Sequence, residues 1–146
     1  MAKPYWSLHN HSRYSANDAI SPVAEMAGWA KTTMETDLLE MDASYKPTVA
    51  TSRAELLKIF DKGVAESREK IKAASDEDWQ KIWTFKYAGQ TFISQPRTEV
   101  MRGSVLNHMI HHRAQLGVYL RLNNVAFPGM YGPSADEQQF QLAQAG

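Results

Sequence analysis

The sequence predicts an all-α protein, a single domain built as a small bundle of helices. Three observations predict it. Apolar residues recur at helical spacing in three long stretches, roughly 18–38, 52–73 and 97–123. Residues able to cap a helix stand where those stretches begin. Pro, Asn and Gly punctuate their ends. The 146 residues suit one domain, 1–146, and a hydrophobic content of 43% is enough for a core.

Residues 1–17 have neither helical nor strand periodicity and are read as irregular. From about Asp18 a helix is expected. Asp18 or Ser21 can cap it and Pro22 suits its first turn. Val23, Met26, Trp29 or Ala30, Thr33 and Leu38 give its apolar stripe. It ends before "DASYKPT". A second helix starts at the capping box "SRAE", Ser52–Glu55, and runs to about Ala73. Leu56, Phe60, Val64 and Ile71 follow at helical spacing. "SDED" at Ser75–Asp78 caps a short turn carrying Trp79.

"KIWTFKYAGQTFIS" alternates apolar and polar residues around "AGQ", so a short hairpin or two extended arms are expected there. Pro96 then opens the last long helix, about Arg97 to Asn123. Its inner stripe is Met101, Val105, His108, His112, Leu116 and Tyr119. "FPGMYGPSADE" is a Pro/Gly loop in which "SADE" can cap a final turn. Trp29, Trp79, Trp83, Phe85 and Tyr87 are read as core rather than as a substrate cage.

Lys plus Arg and Asp plus Glu number 16 each, so no global charge draws the chain to nucleic acid. Without cysteine, thiolate metal sites and disulfides are excluded. No apolar run reaches the roughly 20 residues that a bilayer-crossing helix needs. No secretory signal is legible, and a cytoplasmic protein is expected.

The chemistry concentrates in "NHMIHHRAQLGVYLRL", Asn107–Leu122. His108 and His112 stand four apart on the expected helix, so both imidazoles share one face. That is the spacing with which one helix chelates a metal ion. His111 points elsewhere. Both chelating positions fall on the apolar stripe, where an unpaired imidazole is costly to bury. Arg113 and Gln115 could orient a bound group or a neighbouring carboxylate. The alternative is an ordinary pair of helix histidines beside a solvated surface. No Glu stands where the H-E-x-x-H metalloprotease pattern puts its base.

At these residues the chain resembles the DinB family. "NHMIHHRAQLGVYLRL" followed by "PGMYGPSADE" is similar to the family's C-terminal signature. "EMAGWA" at Glu25–Ala30 and "WTFKYAGQTFISQPRTEVMRGSVLNH" resemble its earlier segments, so the likeness spans roughly Val23 to Glu137. The resemblance implies an up-down-down-up four-helix bundle. It implies a divalent metal, nickel or zinc, held by three histidines, two of them matched by His108 and His112. It also implies a thiol-dependent transferase or a hydrolase acting on a small molecule.

Two departures qualify this. The position matching the family's second-helix histidine holds Pro22, which cannot ligate through its side chain. The residues upstream do not look like the family's first helix, so that helix is expected to be missing or atypical. The third ligand would then come from His9, His11 or Glu25. Apolar surface left by a missing helix predicts a homodimer. With Tyr5, Trp6 and Tyr14 over the gap, a monomer is the alternative. The reading is a divalent-metal-dependent enzyme. Its alternative is a non-catalytic helical protein with a degenerate site that acts through protein interaction.

Overall fold

The computed structural model describes residues 24–46, 48–134, 136 and 137. The irregular segment 1–17, the caps Asp18 and Ser21, and His9, His11 and Pro22 lie outside the described residues. The chain divides into two units, Met1–Ile110 and His111–Gly146, and each is described by itself.

In the first unit the expected first helix is broken and ends early. A helical turn at 24–26 stops at a turn over 27–28, and helix α1 runs Trp29–Glu35. Thr36 leaves it in an extended conformation, φ −120°, ψ 158°. Leu38–Met41 then forms strand β1. Nothing in "LLEM" favours a strand, because Leu, Glu and Met are good helix formers. Tertiary pairing decides it. The Asp37 carbonyl accepts the Thr84 N–H at 2.9 Å, and Leu38 to Met41 align in parallel with Thr84 to Tyr87.

The all-α expectation is therefore wrong. Strands β2 (Ile82–Tyr87) and β3 (Gln90–Pro96) join β1 in a three-stranded mixed sheet of order β1-β2-β3. β1 and β2 are parallel, so the chain between them makes a crossover, supplied by helices α2 (Arg53–Ala73) and α3 (Asp76–Gln80). β2 and β3 form an antiparallel hairpin around "AG". Ala88 and Gly89 both have positive φ, 47° and 77°, as the two-residue turn that matches strand twist requires. A bulge opposite Phe85 and Lys86 lets the neighbouring Phe92 and Ile93 pack on the same core cluster.

The caps of the crossover helices follow the sequence with one change. The Ser52 hydroxyl accepts the Glu55 N–H, but the Glu55 carboxylate returns to the N–H and hydroxyl of Thr51, both at 2.8 Å. At α3 both halves of the capping box form between Ser75 and Asp78.

After β3 the chain enters α4 (Arg97–Val100), a π-helix (Met101–Leu106) and α5 (Asn107–Leu122). The single helix expected over these residues thus contains a π-helical stretch, across which the Asn107 N–H donates to the Arg102 carbonyl.

Two clusters make the core of the first unit. Ala30, Met101 and Val105 are buried with Trp29, Met34, Trp79 and Met109 against them. Trp83, Phe85 and Val100 are buried with Leu39, Met41, Tyr87, Phe92 and Ile93 against them. The five aromatics read as core all belong to these clusters.

In the second unit α5 closes with a Schellman motif. The Val125 N–H donates to the Leu120 carbonyl at 2.9 Å and the Asn124 N–H to Arg121 at 3.0 Å, with Asn124 at φ 54°. The following loop folds back on the helix. Gly117 makes room, because a Cβ there would stand 3.2 Å from the Phe127 ring. Arg113 lies over the Tyr131 ring, Arg121 lies over Phe127, and Arg121 also pairs with Asp136 at 2.8 Å. "SADE" caps as expected: Ser134 and Glu137 exchange hydrogen bonds, and the Glu137 carboxylate also accepts the Gly129 N–H.

One pH effect follows from the α3 cap. The Lys81 ammonium and then the Ser75 N–H hold the Asp78 carboxyl down at about 2, against an ordinary 3.8. A depressed folded-state pKa adds stability above the unfolded value, and that stability fades as pH falls from about 4 toward 2. Acid unfolding followed by circular dichroism should show a shallower loss over that window for Asp78→Asn than for the parent. Identical pH profiles would refute the assignment.

Candidate functional site

His108 and His112 lie where the spacing puts them, four residues apart on the continuous helix α5. His108, in the first unit, is half-buried. Its ring meets the Trp29 indole edge to face, with centroids 5.6 Å apart and planes at 64°. His112, in the second unit, is 2% exposed and is the buried polar residue of α5. The His111 ring stands against it, with centroids 5.1 Å apart, and His111 itself is exposed.

Glu25 sits in the turn 24–26, and its Oε1 accepts the Thr48 N–H at 3.2 Å. Its charge also bears on Tyr45, whose hydroxyl is pushed above its ordinary pKa first by burial and then by Glu25. Glu25 therefore serves the 42–50 loop. Arg113 is exposed and occupied by the Tyr131 ring rather than by a carboxylate. Gln115 is half-buried on α5. Among the described residues no three His, Asp or Glu side chains come close enough together to hold an ion. His9 and His11 fall outside those residues.

Sequence reasoning missed the residues that fix Trp29. α1 and α2 meet almost backbone to backbone at Gly28 and Gly63. A Cβ on Gly63 would stand 2.8 Å from the Gly28 nitrogen and 3.1 Å from the Ala27 carbonyl carbon. One turn on, the buried Ser67 hydroxyl donates to the Ala27 carbonyl at 2.6 Å and accepts the Lys31 N–H at 3.2 Å. It thereby serves backbone groups on both sides of the break before α1, where intrahelical partners are missing. Trp29 follows that clamp directly. The visible signal was the pair of small residues Gly63 and Ser67 on the same face as Phe60, Val64 and Ile71. The apolar members flank the contact, and Phe60 and Ile71 stay 38% and 39% exposed.

Arg97 was missed as well. It is 4% exposed, and its NH2 donates to the Thr36 carbonyl and to Asp37 Oδ1, both at 3.0 Å. Its NH1 donates to the Asp78 carbonyl at 3.3 Å, and its backbone N–H to Lys81 at 2.9 Å.

Gly63→Ala should force α1 and α2 apart and cost about 1–3 kcal/mol, the usual range for overpacking a close contact. Urea unfolding checks this. A variant as stable as the parent would mean that the two backbones do not meet there.

Among the described residues no helix is long and apolar enough to cross a membrane. A family model described as the DinB family matches residues 26–144. No curated protein and no solved structure matches the chain.

Proposed function

The chain belongs to the DinB family, and on that premise we propose that it is a divalent-metal-dependent enzyme, a transferase using a thiol or a hydrolase acting on a small molecule in the cytoplasm. The observation that carries the reading is the four-residue spacing of His108 and His112 in the sequence, with His112 buried in the second unit. Imidazole nitrogen suits zinc and nickel, so the donor chemistry fits such an ion. The described residues supply these two donors, and a third would come from His9 or His11. A divalent ion bound there supplies Lewis acidity and lowers the pKa of a bound water or thiol. The chain's own part is to hold the imidazoles. In the first unit the Trp29 indole lies against His108.

Equilibrium dialysis of the purified protein against zinc or nickel, with metal analysis, tests this. The parent is expected to keep one ion per chain at micromolar metal, and His108→Ala and His112→Ala are each expected to lose it. A parent that retains no metal would overturn the reading. A second reading would then stand: a non-catalytic protein of this mixed fold with a degenerate site, acting through protein interaction. It is favoured by the commitment of the Glu25 carboxylate to Thr48 and by Pro22 at the position of the family's histidine.

Either reading includes a homodimer. In the second unit Val118, Leu122 and Tyr131 are 59%, 73% and 81% exposed, an apolar surface that a second copy would cover. Sedimentation equilibrium should give twice the monomer mass. The monomer mass at micromolar concentration would exclude the dimer.

A further inference from the structure

We propose that Asp37–Met41 is a conformational switch: it forms either strand β1 or a continuation of α1, and the Arg97 guanidinium is the latch that selects the strand. The switch lies within the first unit and is independent of the metal reading.

Local sequence favours the helix. Leu, Glu and Met are strong helix formers, and none of the residues of β1 is β-branched or aromatic. α1 also ends without a stop signal. Its C-cap is Thr36 in an extended conformation, followed by Asp37, with no Gly or Asn to take the left-handed turn that closes many helices. A helix carried on to Met41 puts Leu38 and Met41 on the face of Ala30 and Met34, which belong to one core cluster. In the strand Leu38 is instead 46% exposed.

What holds the strand is long-range. In a continued helix the Thr36 and Asp37 carbonyls accept the N–H groups of Glu40 and Met41. In the structure the Arg97 guanidinium takes the first carbonyl at 3.0 Å, and the Thr84 N–H takes the second at 2.9 Å. Trp83 Nε1 also donates to Thr36 Oγ1 at 3.2 Å. The two acceptors that elongation needs are thus committed to α4 and β2. The latched state carries a cost. Arg97 Nε is buried and has no hydrogen-bond partner among the described residues, and a stranded buried donor opposes the state that buries it. β1 is also an edge strand, paired with β2 alone, and so is held less firmly than an element with partners on both sides.

The chain has room for both states. A helical residue rises about 1.5 Å and a strand residue about 3.3 Å, so conversion of Asp37–Met41 shortens the path by about 9 Å. The stretch Asp42–Thr51 ahead of α2 reaches roughly 30 Å when extended, which supplies the slack. Conversion uncovers the edge of β2 and withdraws Leu39 and Met41 from the Trp83, Phe85 and Val100 cluster.

Chemical-exchange saturation transfer NMR on the full chain tests the proposal through the Cα shifts of Leu38–Met41. Arg97→Lys keeps the charge and loses the planar fork. It is expected to show a second state whose Cα shifts move in the helical direction. Its population should exceed that in the parent on the order of tenfold, the effect of losing one charge-assisted hydrogen bond. Adding Leu38→Thr to Arg97→Lys should lower that population, because Thr suits an exposed strand position and disfavours the helix. If Arg97→Lys does not fold, Thr36→Ala replaces it. That variant removes the acceptor of Trp83 Nε1, raises helix propensity and leaves Arg97 in place, and it should shift the population the same way. No second state at Leu38–Met41 in the latch variant would overturn the proposal. A second state with random-coil shifts would also overturn it, since that is fraying of an edge strand rather than a switch.

Discussion

A single buried guanidinium ties the first unit together. Arg97 stands at the junction of β3 and α4 and reaches back to where α1 ends and α3 ends. It meets the Thr36 carbonyl, the C-cap of α1, and the Asp78 carbonyl in the last turns of α3. Helix C-termini present carbonyls that lack intrahelical donors and carry partial negative charge, so a cation is well placed between two of them. The ion pair with Asp37 adds less than its 3.0 Å suggests, because that carboxylate is 79% exposed and screened by water. The carbonyls are the decisive partners. They turn the chain out of α1 and into β1, which the crossover then pairs with β2.

A second constraint acts on the other end of α1. Gly63 permits the closest approach of two backbones, and Ser67 satisfies the polar groups that this approach would otherwise strand. The ion pairs around them, Lys31 with Glu66 and Lys70 with Glu35, lie on the exposed rim and contribute little beside those buried hydrogen bonds. With α1 held at both ends, its Trp29 faces the α5 residue His108. The Trp29–His108 contact is thus a consequence of two contacts elsewhere in the first unit.

Much of this was legible in the sequence and some was not, for physical reasons. α2, the caps at Ser52, Ser75 and Ser134, and the alternation in "KIWTFKY" are local signals, and the structure follows them. β1 was illegible because its four residues have no strand propensity of their own and are recruited by β2 and Arg97. With β2 and β3 it forms the three-stranded mixed sheet that stands in place of the expected all-α bundle. The stop of α5 at Asn124 was readable, since Asn tolerates the left-handed conformation, whereas the π-helical stretch over Met101–Leu106 leaves no mark in an apolar stripe. The helical placement of His108 and His112 was legible from spacing. Trp29 was read as core, which it is, and its contact with His108 depends on a long-range packing that spacing does not encode.

The functional account rests on two imidazoles from α5 sharing one ion. X-ray absorption at the zinc edge of the zinc-loaded protein reads the ligands themselves, whatever the substrate turns out to be. The account predicts scattering from at least two imidazole rings, with one ring fewer in His108→Ala. A spectrum of oxygen ligands alone, or one unchanged by that substitution, would contradict it.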